Sequence, residues 1–209
     1  MMDGIFYIMK KALLGFTFLG VIFLILSGCE AEDPVKENTP ELITRVTLTF
    51  VPTDGGAPVT ATASDPDGDG VQDIAVDGPI NLTASVSYTL TLSLINELAE
   101  TSSPEYDITE EVEEEGNEHM FFYGWTHNVF SDPTGDGNID NRDGIVNYQD
   151  VDAKNLPIGI ITKWTAGAAS SSSGVFRIVL KHQPELKTST SDANTGETDL
   201  DIEFEINVN

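Results

Sequence analysis

The chain of 209 residues has few basic residues, one cysteine and three histidines. Ten Lys and Arg residues stand against 35 Asp and Glu residues, so the formal net charge at pH 7 is −25. This shortage of cations excludes nucleic acid as a partner, because binding to nucleic acids depends on Lys and Arg neutralising phosphates. One cysteine excludes a disulfide within the chain, so core burial or bound metal must stabilise the fold. The hydrophobic content of 40% excludes global disorder.

Residues 1–28 have the pattern of a secretory signal peptide. Lys10 and Lys11 precede an uninterrupted apolar run at 12–26, ALLGFTFLGVIFLIL. The next residues, Leu26-Ser27-Gly28-Cys29, resemble the lipobox of bacterial lipoproteins. This resemblance implies cleavage before Cys29 and acylation of its thiol, which anchors the protein in a membrane. The alternative, a transmembrane anchor, needs a longer apolar run than these 15 residues.

Residues 29–40 are polar and acidic and predict a tether between the lipidated Cys29 and a single domain at 41–209. The first five residues, Cys-Glu-Ala-Glu-Asp, resemble the acidic export tags of some Bacteroidota lipoproteins. The resemblance implies an outer-membrane lipoprotein that faces the periplasm or the cell surface.

Alternation of apolar and polar residues with a period of two dominates the domain. It predicts an all-β fold, an antiparallel immunoglobulin-like β-sandwich of about eight strands with one short helix. Asp107 is the expected helix N-cap, with Glu110 completing a capping box and Gly116 following the helix. Residues 168–174 are expected to form a hairpin loop, and 184–197 a long polar loop. The predicted strands are 42–50, 57–63, 73–77, 86–94, 118–125, 157–165, 174–182 and 200–208.

An acidic loop at 132–143, DPTGDGNIDNRD, has the spacing of a 12-residue EF-hand-like calcium loop. Gly137 falls at position 6, where such a loop must turn sharply. The loop ends in Asp, which resembles the dockerin variant of this motif, and it lies in a predicted insertion at 132–152. A short helix through 148–153 is expected after it. The alternative is an ordinary acidic turn. The predicted calcium ligands are Asp132, Thr134, Asp136, Asn138, Asp140 and Asp143.

A second acidic loop at 65–73, DPDGDGVQD, resembles the loops of thrombospondin type 3 repeats. Position 12 would be Val76, which has no carboxylate, so the second motif is less complete than the first. Asp-Gly pairs also form ordinary turns. The expected ligands, with calcium as the cofactor, are Asp65, Asp67, Asp69, the Val71 carbonyl and Asp73.

Two of the three histidines share strand faces with apolar residues. His119 and His182 could form a zinc or copper site together with Glu197 or Asp199. The alternative is a pair of hydrogen-bonded histidines at the edge of the core. Trp125 and Trp164 could likewise form a ligand platform or pack in the core.

Several segments in the second half resemble small Bacteroidota lipoproteins labelled "type 1 periplasmic binding fold superfamily protein". These segments are DITEEVEEEGNEH at 107–119, KWT at 163–165, LKHQP at 180–184 and GETD at 196–199. The label implies a two-lobed α/β sugar-binding fold, whereas the length and strand pattern of this chain predict a sandwich.

The sequence contains no G-x-S-x-G, H-E-x-x-H or Walker motif. The leading expectation is therefore a non-enzymatic, calcium-stabilised module anchored in the outer membrane. It would act as a binding or accessory subunit of a transporter or surface complex. A transition-metal carrier that uses His119 and His182 is the alternative. A hydrolase is a third possibility, because carboxylate pairs are numerous.

Overall fold

A computed structural model describes residues 41–68 and 74–209 of the chain. The predicted signal peptide, Cys29 and the tether lie outside these residues. The described residues belong to one compact unit. No helix in the described part has the length and apolar content that crossing a membrane would require.

The larger of two sheets has the strand order β3-β2-β1-β5-β9-β7, and β8 pairs with β9 beside β7. Its longest strand, β5, lies at the centre, between β1 and β9. The bounds are β1 Arg45–Pro52, β2 Val59–Ser64, β3 Ala75–Val76, β5 Ser87–Ile95, β7 Phe130–Asp132, β8 Asn147–Tyr148 and β9 Ile161–Ala166.

The smaller sheet has the order β4-β11-β10-β6. The pairing of β11 with β4 is parallel, and every other pairing between the described strands is antiparallel. The bounds are β4 Ile80–Leu82, β6 His119–Trp125, β10 Gly174–His182 and β11 Glu197–Val208.

The two sheets confirm the predicted all-β sandwich. Each of the eight predicted strands is present, and the described residues add the short strands β4, β7 and β8. These three added strands have only two or three residues each, so a period of two is not visible within them. The strand predicted at 157–165 begins only at Ile161. The reason is that the backbone N–H groups of Gly159, Ile160 and Ile161 donate to the Asp150 carboxylate.

Aromatic residues fill the space between the two sheets. Trp125 and Trp164 are 4% and 1% exposed, and their rings meet edge to face at 5.0 Å. Phe176 and Tyr123 continue this cluster, with ring centroids 5.8 Å apart. The tryptophans are therefore core residues, and the interpretation as a ligand platform is wrong.

Strand β6 is buried on both faces. Its outward residues Met120 and Phe122 pack with Val179 under Ile139 and Tyr148. The segment 132–152 therefore covers the outer face of β6. Such two-sided burial explains why β6 is a continuous apolar run in the sequence.

The one helix of the described residues, α1, spans Ile108–Glu114. Asp107 is its N-cap, as predicted, and its side chain accepts hydrogen bonds from the N–H groups of Thr109 and Glu110. Gly116 follows the helix as expected, but its φ is not positive. A Cβ on Gly116 would lie 2.6 Å from Ile158 Cδ1, so a larger residue here would require the end of the Ile158 side chain to shift.

Two local predictions are wrong. The expected helix at 148–153 is absent from the described residues, and Asn147–Tyr148 instead form β8. Residues 168–174 do not close a hairpin, because they connect β9 of the larger sheet to β10 of the smaller one. In both cases long-range packing of the insertion and of the second sheet overrides the local pattern.

Candidate metal site between β6, β10 and α1

His119 and His182 lie directly opposite each other on the neighbouring strands β6 and β10. Their rings stack with centroids 4.6 Å apart and planes 8° apart. His119 is completely buried, and His182 is 6% exposed. Strand pairing therefore brings together the two histidines that the sequence singled out, although they lie far apart along the chain.

The end of α1 adds a carboxylate to this pair. Glu115 is the C-cap residue of the helix, and His119 starts β6 shortly after it. The potential ligand atoms of Glu115, His119 and His182 all lie within 4.8 Å of one another. Sequence reasoning missed Glu115, although the spacing Glu111-x₃-Glu115-x₃-His119 places the two glutamates one helical turn apart.

Two further carboxylates face His119. Its Nε2 atom is 3.7 Å from Glu41 Oε1 and 3.7 Å from Asp199 Oδ2. Asp199 is 2% exposed, and neither of its oxygens has a hydrogen-bond donor in good geometry among the described residues. Burial raises the pKa of Asp199 to about 6, a rise moderated by His182 and the Glu41 backbone.

His182 contacts a carboxylate on its own side of the site. Its Nε2 atom is 3.4 Å from Glu118 Oε2, while its Nδ1 atom is buried with no hydrogen-bond partner among the described residues. Of the two acidic residues that the sequence suggested as a third ligand, Asp199 lies beside His119. Glu197 is exposed and belongs to neither of the described clusters.

A second group of carboxylates adjoins the first. Oxygens of Glu41, Glu111 and Glu115 lie within 4.8 Å of one another, and all three residues are partly buried. Glu115 belongs to both groups. The site thus combines two imidazoles with several carboxylates, which is a donor set suited to zinc or copper(II).

The predicted calcium loop is anchored by a residue other than its acidic ones. Asn138 is buried, and its Oδ1 atom accepts from the Tyr123 N–H while its Nδ2 atom donates to Tyr148 Oη. Gly137 has a φ of +106°, as the sharp turn requires. The backbone of Asp136 and Asn138 bonds to Trp125 and Tyr123 of β6.

The other predicted ligands of this loop are exposed. Within the described residues, no three carboxylates of the loop lie within 4.8 Å of one another. The geometry therefore positions the loop backbone on β6 but does not group the acidic side chains, and calcium binding here stays a prediction. The exposed ligand candidates are Asp132, Thr134, Asp136, Asp140 and Asp143.

The second predicted loop is described only in its first part. Asp65 is 2% exposed, and its Oδ1 atom accepts from the N–H groups of Asp67 and Gly68. Its Oδ2 atom is buried without a hydrogen-bond partner among the described residues. Asp69, Val71 and Asp73 lie outside the described residues, so this site also stays a prediction.

Comparisons with family models, curated proteins and solved structures found no match to this chain. The resemblance to the Bacteroidota lipoproteins therefore remains a prediction, and the functional argument depends on the site itself.

Proposed function

We propose that this protein binds a divalent transition-metal ion, zinc or copper(II), through His119, His182 and Glu115. The supporting observation is that three separate elements, β6, β10 and α1, bring these three side chains within 4.8 Å of one another. Three protein ligands leave a coordination position for water or a further group, as in open zinc sites. A carrier or accessory protein can use such a position to exchange the ion.

The burial of acidic side chains in the site favours the binding of a cation. Burying a carboxylate such as Asp199 is costly unless an opposite charge compensates it. Lys181 acts on Asp199 through its charge, but its Nζ atom donates to Thr198 Oγ1. A divalent ion held by the histidines would lie beside Asp199 and Glu41 and compensate both.

Titration calorimetry with ZnCl₂ and CuCl₂ on the detergent-solubilised full chain tests this proposal. The His119→Ala/His182→Ala variant is expected to lose at least about tenfold in affinity, because two of three ligands are removed. His127→Ala is the matched control, since His127 is exposed and lies outside the cluster. Circular dichroism checks that each variant is folded. Unchanged binding by the double variant, or no binding by the wild type, would overturn the proposal.

The broader expectation of an accessory module on the outer membrane stays a prediction alongside this proposal. A metal-loaded domain is compatible with contact to a transporter or surface complex.

A further inference from the structure

We infer that the site holds two metal ions and that Glu115 is shared between them. The first ion would bind at His119, His182 and Glu115, and the second at Glu41, Glu111 and Glu115. This inference rests on the proposed function, because it extends the same site.

The shared carboxylate is the central observation. Each of the two groups has its ligand atoms within 4.8 Å of one another, and Glu115 belongs to both. A carboxylate has two oxygens with about four lone-pair positions, so it can coordinate one ion through each oxygen. Carboxylate-bridged pairs of metal ions are known in proteins, typically with the ions about 3.5–4 Å apart.

The elements around the second group are fixed independently of any metal. Ile108 and Val112 are buried, which presses one face of α1 onto the sandwich. Glu111 and Glu115 are one turn apart and share a face of the helix. Glu41 precedes a segment that is pinned to β5, since the Thr44 N–H donates to the Ile95 carbonyl over 3.0 Å. The three carboxylates therefore converge because of the fold.

Asp199 provides a second, independent observation. This side chain is 2% exposed, and neither of its oxygens has a hydrogen-bond donor in good geometry among the described residues. Its Oδ2 atom lies 3.7 Å from the His119 nitrogen that Glu41 also faces. His119 thus lies where the two groups meet. Glu41 and Asp199 lie 3.7 Å from His119 Nε2, and Glu111 joins Glu41 and Glu115 in the second group, which makes four carboxylates. Two divalent cations would balance their four negative charges.

The two positions differ in chemistry. Two imidazole nitrogens make the first position suitable for zinc or copper(II), whereas the second has only carboxylate oxygens. Oxygen-only sites bind harder ions such as Mn²⁺ as well as zinc. We therefore expect the second ion to bind more weakly than the first and to be replaced by Mn²⁺ more readily.

Zinc stoichiometry, measured by calorimetry and elemental analysis on the full chain in detergent, tests the inference. The wild type should bind two ions per chain. Glu111→Gln should bind one, with the affinity of the first ion changed by less than about tenfold, because Glu111 belongs to the second group alone. Glu114→Gln is the matched control, because it removes one exposed charge from the same helix and should still bind two ions.

The outcomes separate the two proposals. A wild type that binds one ion, unaffected by Glu111→Gln, would overturn the two-ion inference and leave the proposed function standing. Two ions in both the wild type and this variant would place the second ion elsewhere and also overturn the inference. A wild type that binds no zinc or copper would overturn the proposed function itself.

Discussion

Lys187 and Asp152 form an ion pair that is shielded from solvent. The Nζ atom of Lys187 is 3.0 Å from Asp152 Oδ2, and the two side chains are 0% and 1% exposed. Lys187 also donates to the Gly116 carbonyl, and Asp152 Oδ1 accepts from the N–H groups of Lys154 and Leu156. This pair therefore connects the loop before β11 to the insertion and to the end of α1.

The pKa shifts of the two partners point in opposite directions. For Asp152, burial raises the pKa, but the Leu156 N–H and Lys187 outweigh it and the net pKa is lowered. For Lys187, burial lowers the pKa despite the favourable contact with Asp152. The contacts favour the ionised pair, because the amide donors around Asp152 and the ammonium of Lys187 all stabilise a charged carboxylate.

We expect Asp152→Asn and Lys187→Met each to lower the free energy of unfolding by about 3–5 kcal/mol, because each leaves a buried charge unpaired. The double variant should lose less than the sum of the two. Urea unfolding of all three measures this. Glu97→Gln, which breaks the exposed pair with Arg45, should cost at most about 1 kcal/mol. Strictly additive losses would show that the pair is not coupled.

The same pair predicts an acid-labile contribution to stability. In the folded protein the pKa of Asp152 lies below its ordinary value of 3.8. The contribution of the ionised Asp152 to the free energy of unfolding is therefore complete above about pH 4. It is lost as the pH falls through the lower pKa that Asp152 has in the folded protein. In unfolding measurements between pH 5 and pH 2, Asp152→Asn should show a shallower decline than the wild type. If the free energy of unfolding fell equally in the wild type and in Asp152→Asn, Asp152 would not be the source of the acid-labile contribution.

Gly137 and Gly135 allow backbone strain to be separated from a steric clash. Both have a positive φ, +106° and +97°. A Cβ on Gly137 would lie 2.0 Å from the Tyr123 carbonyl oxygen, whereas nothing lies within 4 Å of one on Gly135. Gly135→Ala should lower the free energy of unfolding by about 1–2 kcal/mol, because only the left-handed backbone is strained. Gly137→Ala should lower it by about 2–5 kcal/mol, because the clash with Tyr123 adds to the backbone strain. Equal costs in thermal unfolding would show that the loop is not held against β6 as described.

At the scale of elements, the sequence predicted those helices and strands whose formation depends on interactions between residues close together in the chain. The cap of α1 at Asp107 depends on hydrogen bonds to residues two and three positions ahead, and alternation reveals strands such as β5. The covering of β6 could not be predicted this way. Met120 and Phe122 are buried under Ile139 and Tyr148, which belong to a distant insertion.

The candidate site shows the same limit. His119 and His182 were predicted as a pair, but their direct opposition depends on the register of β6 with β10. That register follows from nonlocal pairing, which the spacing of one strand does not encode. Glu41 precedes β1 and reaches the site only through the folded packing.

The insertion at 132–152 gives an element-scale prediction for calcium. If the loop binds calcium with a dissociation constant of about 10⁻⁴–10⁻³ M, then 10 mM calcium should stabilise the chain by about 1.4–2.7 kcal/mol. Asp136→Ala should abolish the increase in melting temperature, and EDTA should reverse it. Glu205→Ala, which removes an exposed carboxylate from β11, should keep the increase. An increase that survives in Asp136→Ala would exclude this loop as the site.

At the scale of the whole molecule, membrane attachment is the first prediction to test. Cells grown with labelled palmitate should label the wild type and the Ser27→Ala variant, because alanine remains a small residue before the cleavage point. Cys29→Ser should be unlabelled and should leave the membrane fraction, because it lacks the acylated thiol. Equal labelling of the Cys29→Ser variant would exclude lipidation at this residue.

The backbone pairing of Asp136 and Asn138 with β6 affects the tendency of the protein to aggregate at high concentration. In the smaller sheet this pairing covers part of the β6 edge, and the other edge is the three-residue β4. In the larger sheet one described edge is the two-residue β3, and the three-residue β7 and the two-residue β8 lie along the other. Long open edges invite strand addition between chains and aggregation. The insertion covers part of the edge of β6, the one long edge strand described in the smaller sheet. It therefore blocks the addition of a strand from another copy of the chain at that edge.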